Sequence, residues 1–314
     1  MLSFSVGYAL ADAHASDRLL KPLAASTPSA SPASDSAATP AADTPAPPAP
    51  PVPDPTPTPA PVHPSFASLA VAIDAITAPT GTEIGVSLIE LGGPAASSWE
   101  VGGSQPMDAA STYKLPALME LAQLVAAGKV DPAGQVCYQD ADWEDGWFDD
   151  YTTGACYTRA ELADRTAHYS DNTAGHMLVR DLGGGDALNT YAAGLGAQNS
   201  AFFDVNQTTA DDLARLLAAE ATGNAGGAQA QAWLYPLLTN TEFEAGIPAG
   251  VPAGTTVIHK TGELDAQVND AAIVTNGKNG TYVLAVMTNG PGGDAGSSLV
   301  AQVSAAVWAY EAAR

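Results

Sequence analysis

Hydroxyl and amine side chains fall together at three places in this sequence. The first is Ser111-Thr112-Tyr113-Lys114-Leu115-Pro116. Proline is tolerated in a helix only in the first turn, where its missing N–H has no partner to lose. Pro116 therefore puts Ser111 at a helix start and Lys114 one turn further on, on the same face. A serine so placed has its own N–H at the positive end of a helix, where an oxyanion is stabilised. A partly desolvated lysine beside it can take its proton. Alone, the pair also suits an ordinary helix cap with a surface lysine. The second place is Ser170-Asp171-Asn172, three residue types that all cap helices. The third is His259-Lys260-Thr261-Gly262-Glu263, ending a predicted strand, where an edge strand with a turn glycine is the plain alternative. From residue 65 onward the only lysines are Lys114, Lys129, Lys260 and Lys278, and two of these stand beside hydroxyls.

The elements that must position these groups can be read in outline. Phe66, Leu69, Ile73 and Ile76 follow helical spacing. Residues 83–91 place Ile84, Val86 and Leu88 on one face of a strand, and 98–101 form its hairpin partner across Gly92-Gly93-Pro94. Helices and loops occupy roughly 107–248. Strands are predicted at 256–261, 270–275 and 281–288, the last two joined by Asn276-Gly277-Lys278-Asn279-Gly280. Leu299, Val303, Val307 and Tyr310 mark a terminal amphipathic helix. This order predicts an α/β fold of the α+β type. Its five-stranded antiparallel sheet is flanked by both terminal helices, with an all-helical subdomain inserted between the second and third strands.

Composition narrows the function. The 314 residues include 34 acids and 11 bases, a net charge of -23. Such a chain repels nucleic acid and anionic membranes, which need Lys and Arg to neutralise phosphate. No run of about eighteen apolar residues is present to span a bilayer. Fourteen of the 24 prolines lie between Pro28 and Pro64, so residues 1–64 are expected to be a disordered, polyproline-like region and 65–314 the folded domain. Leu2 to Ala11 is mildly apolar and Ala13-His14-Ala15 is similar to a cleavage site, although the basic start of a signal peptide is missing. A Pro/Thr/Ser stalk before a domain of this size suits an extracytoplasmic protein. Cys137 and Cys156 bracket an acidic loop, consistent with a loop-closing disulfide or with two buried thiols. In that loop Asp140, Asp142, Glu144, Asp145, Asp149 and Asp150 are interleaved with Trp143, Trp147 and Phe148. A calcium loop counted from Asp140 would need glycine and glutamate where Asp145 and Tyr151 stand, so a solvated rim loop is expected. Gly183-Gly184-Gly185 reads as a helix stop. The five histidines show no ligand spacing, and no metal is expected.

Ser-x-x-Lys, Ser-Asp-Asn and Lys-Thr-Gly, in this order, resemble the signature of class A β-lactamases and penicillin-binding proteins. Asn269-Asp270-Ala271-Ala272-Ile273-Val274 and Ala245-Gly246-Ile247-Pro248 are also similar to that family, so the resemblance covers about 65–314. It implies that Ser111 is the acyl-accepting nucleophile and Lys114 its general base or proton relay. Ser170 would pass a proton to the departing nitrogen, with Lys260 supplying positive potential. Asn172 would fix Lys114 and touch the substrate amide. Thr261 would bind the substrate carboxylate, beside Gly262, and the backbone N–H groups of Ser111 and Glu263 would form the oxyanion hole. The resemblance implies a small-molecule substrate, a β-lactam or a D-alanyl peptide, with no cofactor, and a monomer is expected.

Two departures qualify it. Class A enzymes deacylate with a loop glutamate, but the only glutamates between Asn172 and Lys260 are Glu220, Glu242 and Glu244, none on the expected loop. Asp204 is the one carboxylate that could stand in, and slow deacylation is expected. Glu263 stands where many relatives carry a small residue, and no arginine near Val268 offers a second carboxylate clamp. A D-alanyl-peptide carboxypeptidase or esterase, or a non-turnover envelope-binding module, remain the alternatives.

Overall fold

The computed structural model describes residues 65–93, 96–275 and 280–314. The proline-rich region, Pro94 and residues 276–279 of the expected turn lie outside the described residues. The first elements are α1 (Phe66–Thr77), β1 (Glu83–Glu90), β2 (Ser98–Val101) and β3 (Met107–Asp108). Then come α2 (Lys114–Ala126), β4 (Gln135–Cys137), β5 (Cys156–Thr158), α3 (Arg159–His168), α4 (Asn172–Asp181) and α5 (Gly185–Gly194). β6 (Gln207–Thr208), α6 (Ala210–Ala221) and α7 (Gly227–Leu234) complete the insert, followed by β7 (Val257–Leu264), β8 (Gln267–Thr275), β9 (Thr281–Asn289) and α8 (Gly293–Ala313).

The sheet has the order β2-β1-β9-β8-β7 with every neighbouring pair antiparallel. Its central strands are buried on both faces, and the two-residue period assigns each side chain to a layer. In β9, Tyr282, Leu284 and Val286 join α1 and α8 through Leu69, Ile73, Val300, Val303 and Val307. Val283, Ala285 and Met287 of the same strand face the insert, where α6 packs on β1, β8 and β9. The terminal helices thus close one face and the helical insert the other, as the element order predicts.

Two features differ from the expected pattern. The insert contains two short strand pairs, β3–β6 and β4–β5, alongside its helices. Cys137 and Cys156 are cross-strand partners of the second pair and form a disulfide. Strand β7 runs past Gly262 to Leu264, so Lys-Thr-Gly lies within the strand and not at its end. Its pairing continues because β8 supplies Asn269, Val268 and Gln267 opposite Gly262, Glu263 and Leu264. As β7 is an edge strand, its free side can run alongside the turn that carries Ser111.

Candidate active site

Ser111 sits in a single tight turn, Ala110–Tyr113, that runs directly into α2. Pro116 is the third residue of α2, inside the first turn as its chemistry requires. The entry is held by Asp108, whose Oδ1 accepts from the Ala110 N–H at 2.8 Å, while Ala110 takes a φ of 46°. Such a left-handed backbone is uncommon for a non-glycine residue and costs roughly 1 kcal/mol or more, so the surroundings must enforce it. The Asn269 amide helps by donating to the carbonyls of Asp108, at 2.9 Å, and Ala109, at 3.3 Å.

Lys114 is completely buried, and its Nζ lies 2.9 Å from Ser111 Oγ. The same nitrogen donates to the Ser170 carbonyl and to Asn172 Oδ1, both at 2.6 Å, and is 3.4 Å from Ser170 Oγ. Asn172 is oriented by its own amide, which donates to the Asp145 carbonyl at 2.7 Å. Burial pushes the Lys114 ammonium well below the usual lysine range and nearby Lys260 adds to this, against an opposing pull from Glu144 and Asp171. Lys260 is almost fully buried, and its Nζ donates to Ser170 Oγ and to the Thr261 carbonyl, each at 2.8 Å. Burial brings its pKa down to about 7, with Asp270 and Glu263 resisting. Ser111, Lys114, Ser170 and Lys260 therefore form one continuous hydroxyl–amine chain, although its bonded neighbours lie up to 90 residues apart in sequence.

The acidic loop is a scaffold for this chain and is not simply solvated. Asp171 caps α4 through Ala174 N–H and accepts from the N–H groups of Trp147 and Phe148 and from the Tyr151 hydroxyl. Asp142 is buried and pairs with Arg180, and Asp150 pairs with Arg165. Asp171 thereby ties the loop to Ser170, whose φ of 53° turns its carbonyl and hydroxyl toward the lysines. Among the described residues no cluster of His, Cys, Asp and Glu is arranged to hold a metal ion.

Gly262 lies against the nucleophile turn. A Cβ there would stand 2.8 Å from Ala109 O and Thr112 N and 2.9 Å from Ser111 N, an approach that only glycine permits. Thr261 is buried beside it. Glu263 is exposed, and its Oε1 accepts from Ser297 Oγ of α8 at 3.4 Å.

Asp204 is not brought to the site. It is exposed, its carboxylate lies against Gly185 at the start of α5, and no hydrogen bond joins it to Ser111 or Lys114. The chain reverses at Phe203 and Asn206, both with positive φ, and this leaves Asp204 outside. The neighbour turned inward is Asn206, a residue that motif reading missed. Its amide donates to the Ala110 carbonyl at 3.2 Å, its own carbonyl accepts from Ala109 N–H at 2.7 Å, and its Oδ1 is buried without a protein partner. The only advance signal was its type, because asparagine tolerates the left-handed region better than most residues. His259 and Asp270 were also missed as a pair. They are buried together, with Nδ1 3.0 Å from Asp270 Oδ1, and Nε2 lies 3.1 Å from Glu244 Oε1.

A helical insert on an antiparallel sheet, with a half-buried serine bonded to a buried lysine at their junction, defines the class A β-lactamase fold. Residues 68–311 match the family model described as "Beta-lactamase enzyme family", and the chain belongs to that family. Among solved structures it is similar to PBP-A, with 27% identity and a TM-score of 0.71 over 77% of this chain and 94% of that one. A β-lactamase from Sphaerobacter thermophilus is 28% identical, with a TM-score of 0.70 over 79% of this chain and 97% of that one. The β-lactamase OXY-1 of Klebsiella oxytoca is 33% identical over 158 residues, 45% of this chain and 53% of the relative. The chain spans about half the length of the curated relatives it matches.

Proposed function

We propose that the protein is an exported serine acyl hydrolase of the class A type. On this reading it forms an acyl-enzyme at Ser111 from β-lactam amides or D-alanyl peptides and releases the acyl group slowly. The observation that carries the reading is the arrangement around Lys114 Nζ. A neutral amine has two N–H groups and one lone pair. The Ser170 carbonyl and Asn172 Oδ1 accept only, so they use both N–H groups and leave the lone pair for Ser111 Oγ. Burial beside Lys260 favours that neutral form.

Catalysis then follows from the contacts. Lys114 takes the Ser111 hydroxyl proton as Oγ attacks the carbonyl carbon of the substrate. The backbone N–H groups of Ser111 and Glu263 hold the oxyanion. Ser170 delivers a proton to the departing nitrogen as the C–N bond breaks and recovers one from the protonated Lys114, 3.4 Å away, while Lys260 holds that hydroxyl in place. Water or an amine later displaces Ser111 Oγ from the acyl carbon. Slow release is supported by the placement of the carboxylates, since no Asp or Glu among the described residues is hydrogen-bonded to Ser111 or Lys114. Export is supported by the disulfide, a bond that persists in oxidising compartments.

A penicillin probe should label the protein with a mass increment at Ser111 that persists for minutes, as read by intact-mass spectrometry. Lys114→Ala should slow labelling about 100-fold or more. Labelling that survives Ser111→Ala would refute the assignment. Rapid steady turnover of a chromogenic β-lactam would refute slow release, and a parallel D-alanyl-D-alanine assay separates the two substrate classes.

A further inference from the structure

His259 takes no part in the steps above, yet its ring is buried and bonded at both nitrogens. It shares a face of β7 with Val257, in the layer of the terminal helices, while its neighbour Lys260 turns to the insert. Besides Asp270 on Nδ1 and Glu244 on Nε2, Thr241 Oγ1 lies 3.4 Å from Nε2. A ring between two carboxylates donates to both only when both nitrogens carry protons. Burial opposes that charge, but Asp270 and Glu244 prevail and raise the pKa to about 9. The cavity that these two acids line also holds Glu242, Glu263 and Asp294, all exposed, which act on the ring through solvent.

The ring fastens the segment 241–247. Within it Glu244 Oε1 also accepts from the Thr241 N–H, at 2.6 Å, closing a turn around Phe243. The segment ends where the Ile247 N–H donates to Asp270 Oδ2 at 2.8 Å. Among the described hydrogen bonds, the turn itself has two outside ties. One is the Glu242 N–H to the His168 carbonyl, at 3.1 Å, on the insert side. The other, on the sheet side, is His259. The turn carries Phe243 to the cleft. Its ring meets Trp147 edge-on, with 6.1 Å between centroids, and Trp147 packs on Tyr169, the residue before Ser170. Trp147 belongs to the loop whose Asp145 carbonyl orients Asn172, and Phe243 lines a cavity shared with Thr261. The ring pair therefore joins the two sides of the cleft beside the hydroxyl–amine chain.

We propose that His259 is a positioning residue: its doubly protonated ring fastens the 241–247 segment to the sheet and so holds Phe243 against Trp147 at the mouth of the cleft. The inference rests on acylation at Ser111 and adds what keeps the cleft wall in place for it. When the ring loses a proton, the one that remains stays on Nδ1, because Asp270 is fully buried and would otherwise face a lone pair. Nε2 then turns its lone pair to Glu244, whose side chain is 41% exposed and moves to water instead. The turn comes free of the sheet, and Phe243 leaves Trp147.

Trp147 emission reports that contact, taken as the difference between the full chain and its Trp147→Phe variant. It should hold steady between about pH 6 and 8 and shift to the red around pH 9. Glu244→Gln removes one of the two carboxylates that keep the ring charged, so its midpoint should fall below that of the wild type. His259→Gln should show the red-shifted emission throughout. A wild type without the transition, a midpoint unmoved by Glu244→Gln, or a transition retained in His259→Gln overturns the proposal. Should His259→Gln fail to fold, the Glu244→Gln midpoint decides. The bearing on acylation is read from the concentration dependence of penicillin labelling at about pH 7. In His259→Gln, and likewise in Phe243→Ala, the half-saturating concentration should rise about fivefold while the limiting rate stays within about twofold. A half-saturating concentration unchanged in both overturns the positioning role. If penicillin does not label Ser111 in the wild type, the acyl-enzyme reading falls, and the emission still decides whether His259 holds the wall.

Discussion

On the proposed mechanism the two buried lysines act in different protonation states, and that difference sets the pH behaviour expected of acylation. Lys114 must be neutral to accept the serine proton, and burial together with Lys260 drives it that way. Lys260 supports the Ser170 hydroxyl as a cation, and its pKa of about 7 means that this charge is lost as pH rises through neutrality. Acylation of Ser111 should therefore decline between about pH 6.5 and 8.5. In Lys260→Arg the declining limb should vanish, because a guanidinium stays charged throughout, even if the absolute rate is lower. Stopped-flow acylation across that range checks this, and a wild-type profile flat to pH 8.5 would contradict it. The four residues of the hydroxyl–amine chain were legible in the sequence because their motifs are local, each within three or four positions. Asn206, the His259–Asp270 pair and the clamp around Asp171 were not. Each depends on a partner brought together by the fold, and residue type alone does not announce such a partner.

At the scale of elements, the disulfide is the nearest fixed point to the motif that orients Lys114. It closes a loop of 19 residues across β4 and β5, and that loop reaches Asp171 and Asn172 through Asp145, Trp147, Phe148 and Tyr151. Cys137→Ser/Cys156→Ser should lose about 3 kcal/mol of stability, read from urea unfolding, by the loop-entropy relation. Acylation should fall as well, since Asn172 loses part of its support. Unchanged acylation in the folded double variant would show that Asp171 secures the motif without the loop. The long strands and terminal helices could be read from periodicity. The strand pairs β3–β6 and β4–β5 could not, because two or three residues carry no period. The continuation of β7 beyond Gly262 was equally hidden. A glycine inside a strand looks like its end until the close approach of Ser111 explains it.

For the molecule as a whole, acidity couples pH to stability. Burial raises the carboxyl of Glu120 to about 6 and those of Glu220 and Glu311 to about 7. A carboxyl raised above its unfolded value favours the fold most below that unfolded value, and the advantage is lost as pH climbs through the folded one. The melting temperature should therefore drop between about pH 5 and 8. Glu220→Gln, at a residue almost fully buried in α6, should lessen the drop, and an unchanged slope in scanning calorimetry would count against this account.

The strand order also bears on how the chain acquires its shape. β9 is the middle of the sheet, and its neighbour β1 lies at the opposite end of the domain, so that Asn289 bonds to Glu83 across 206 positions. During synthesis the β1–β2 hairpin must wait, one edge unmatched, until the last strand leaves the ribosome. Contacts so remote in sequence make folding slow and leave a sticky edge exposed meanwhile. Nascent chains stopped before residue 281 should consequently recruit chaperones, a dependence that release of the finished chain ends.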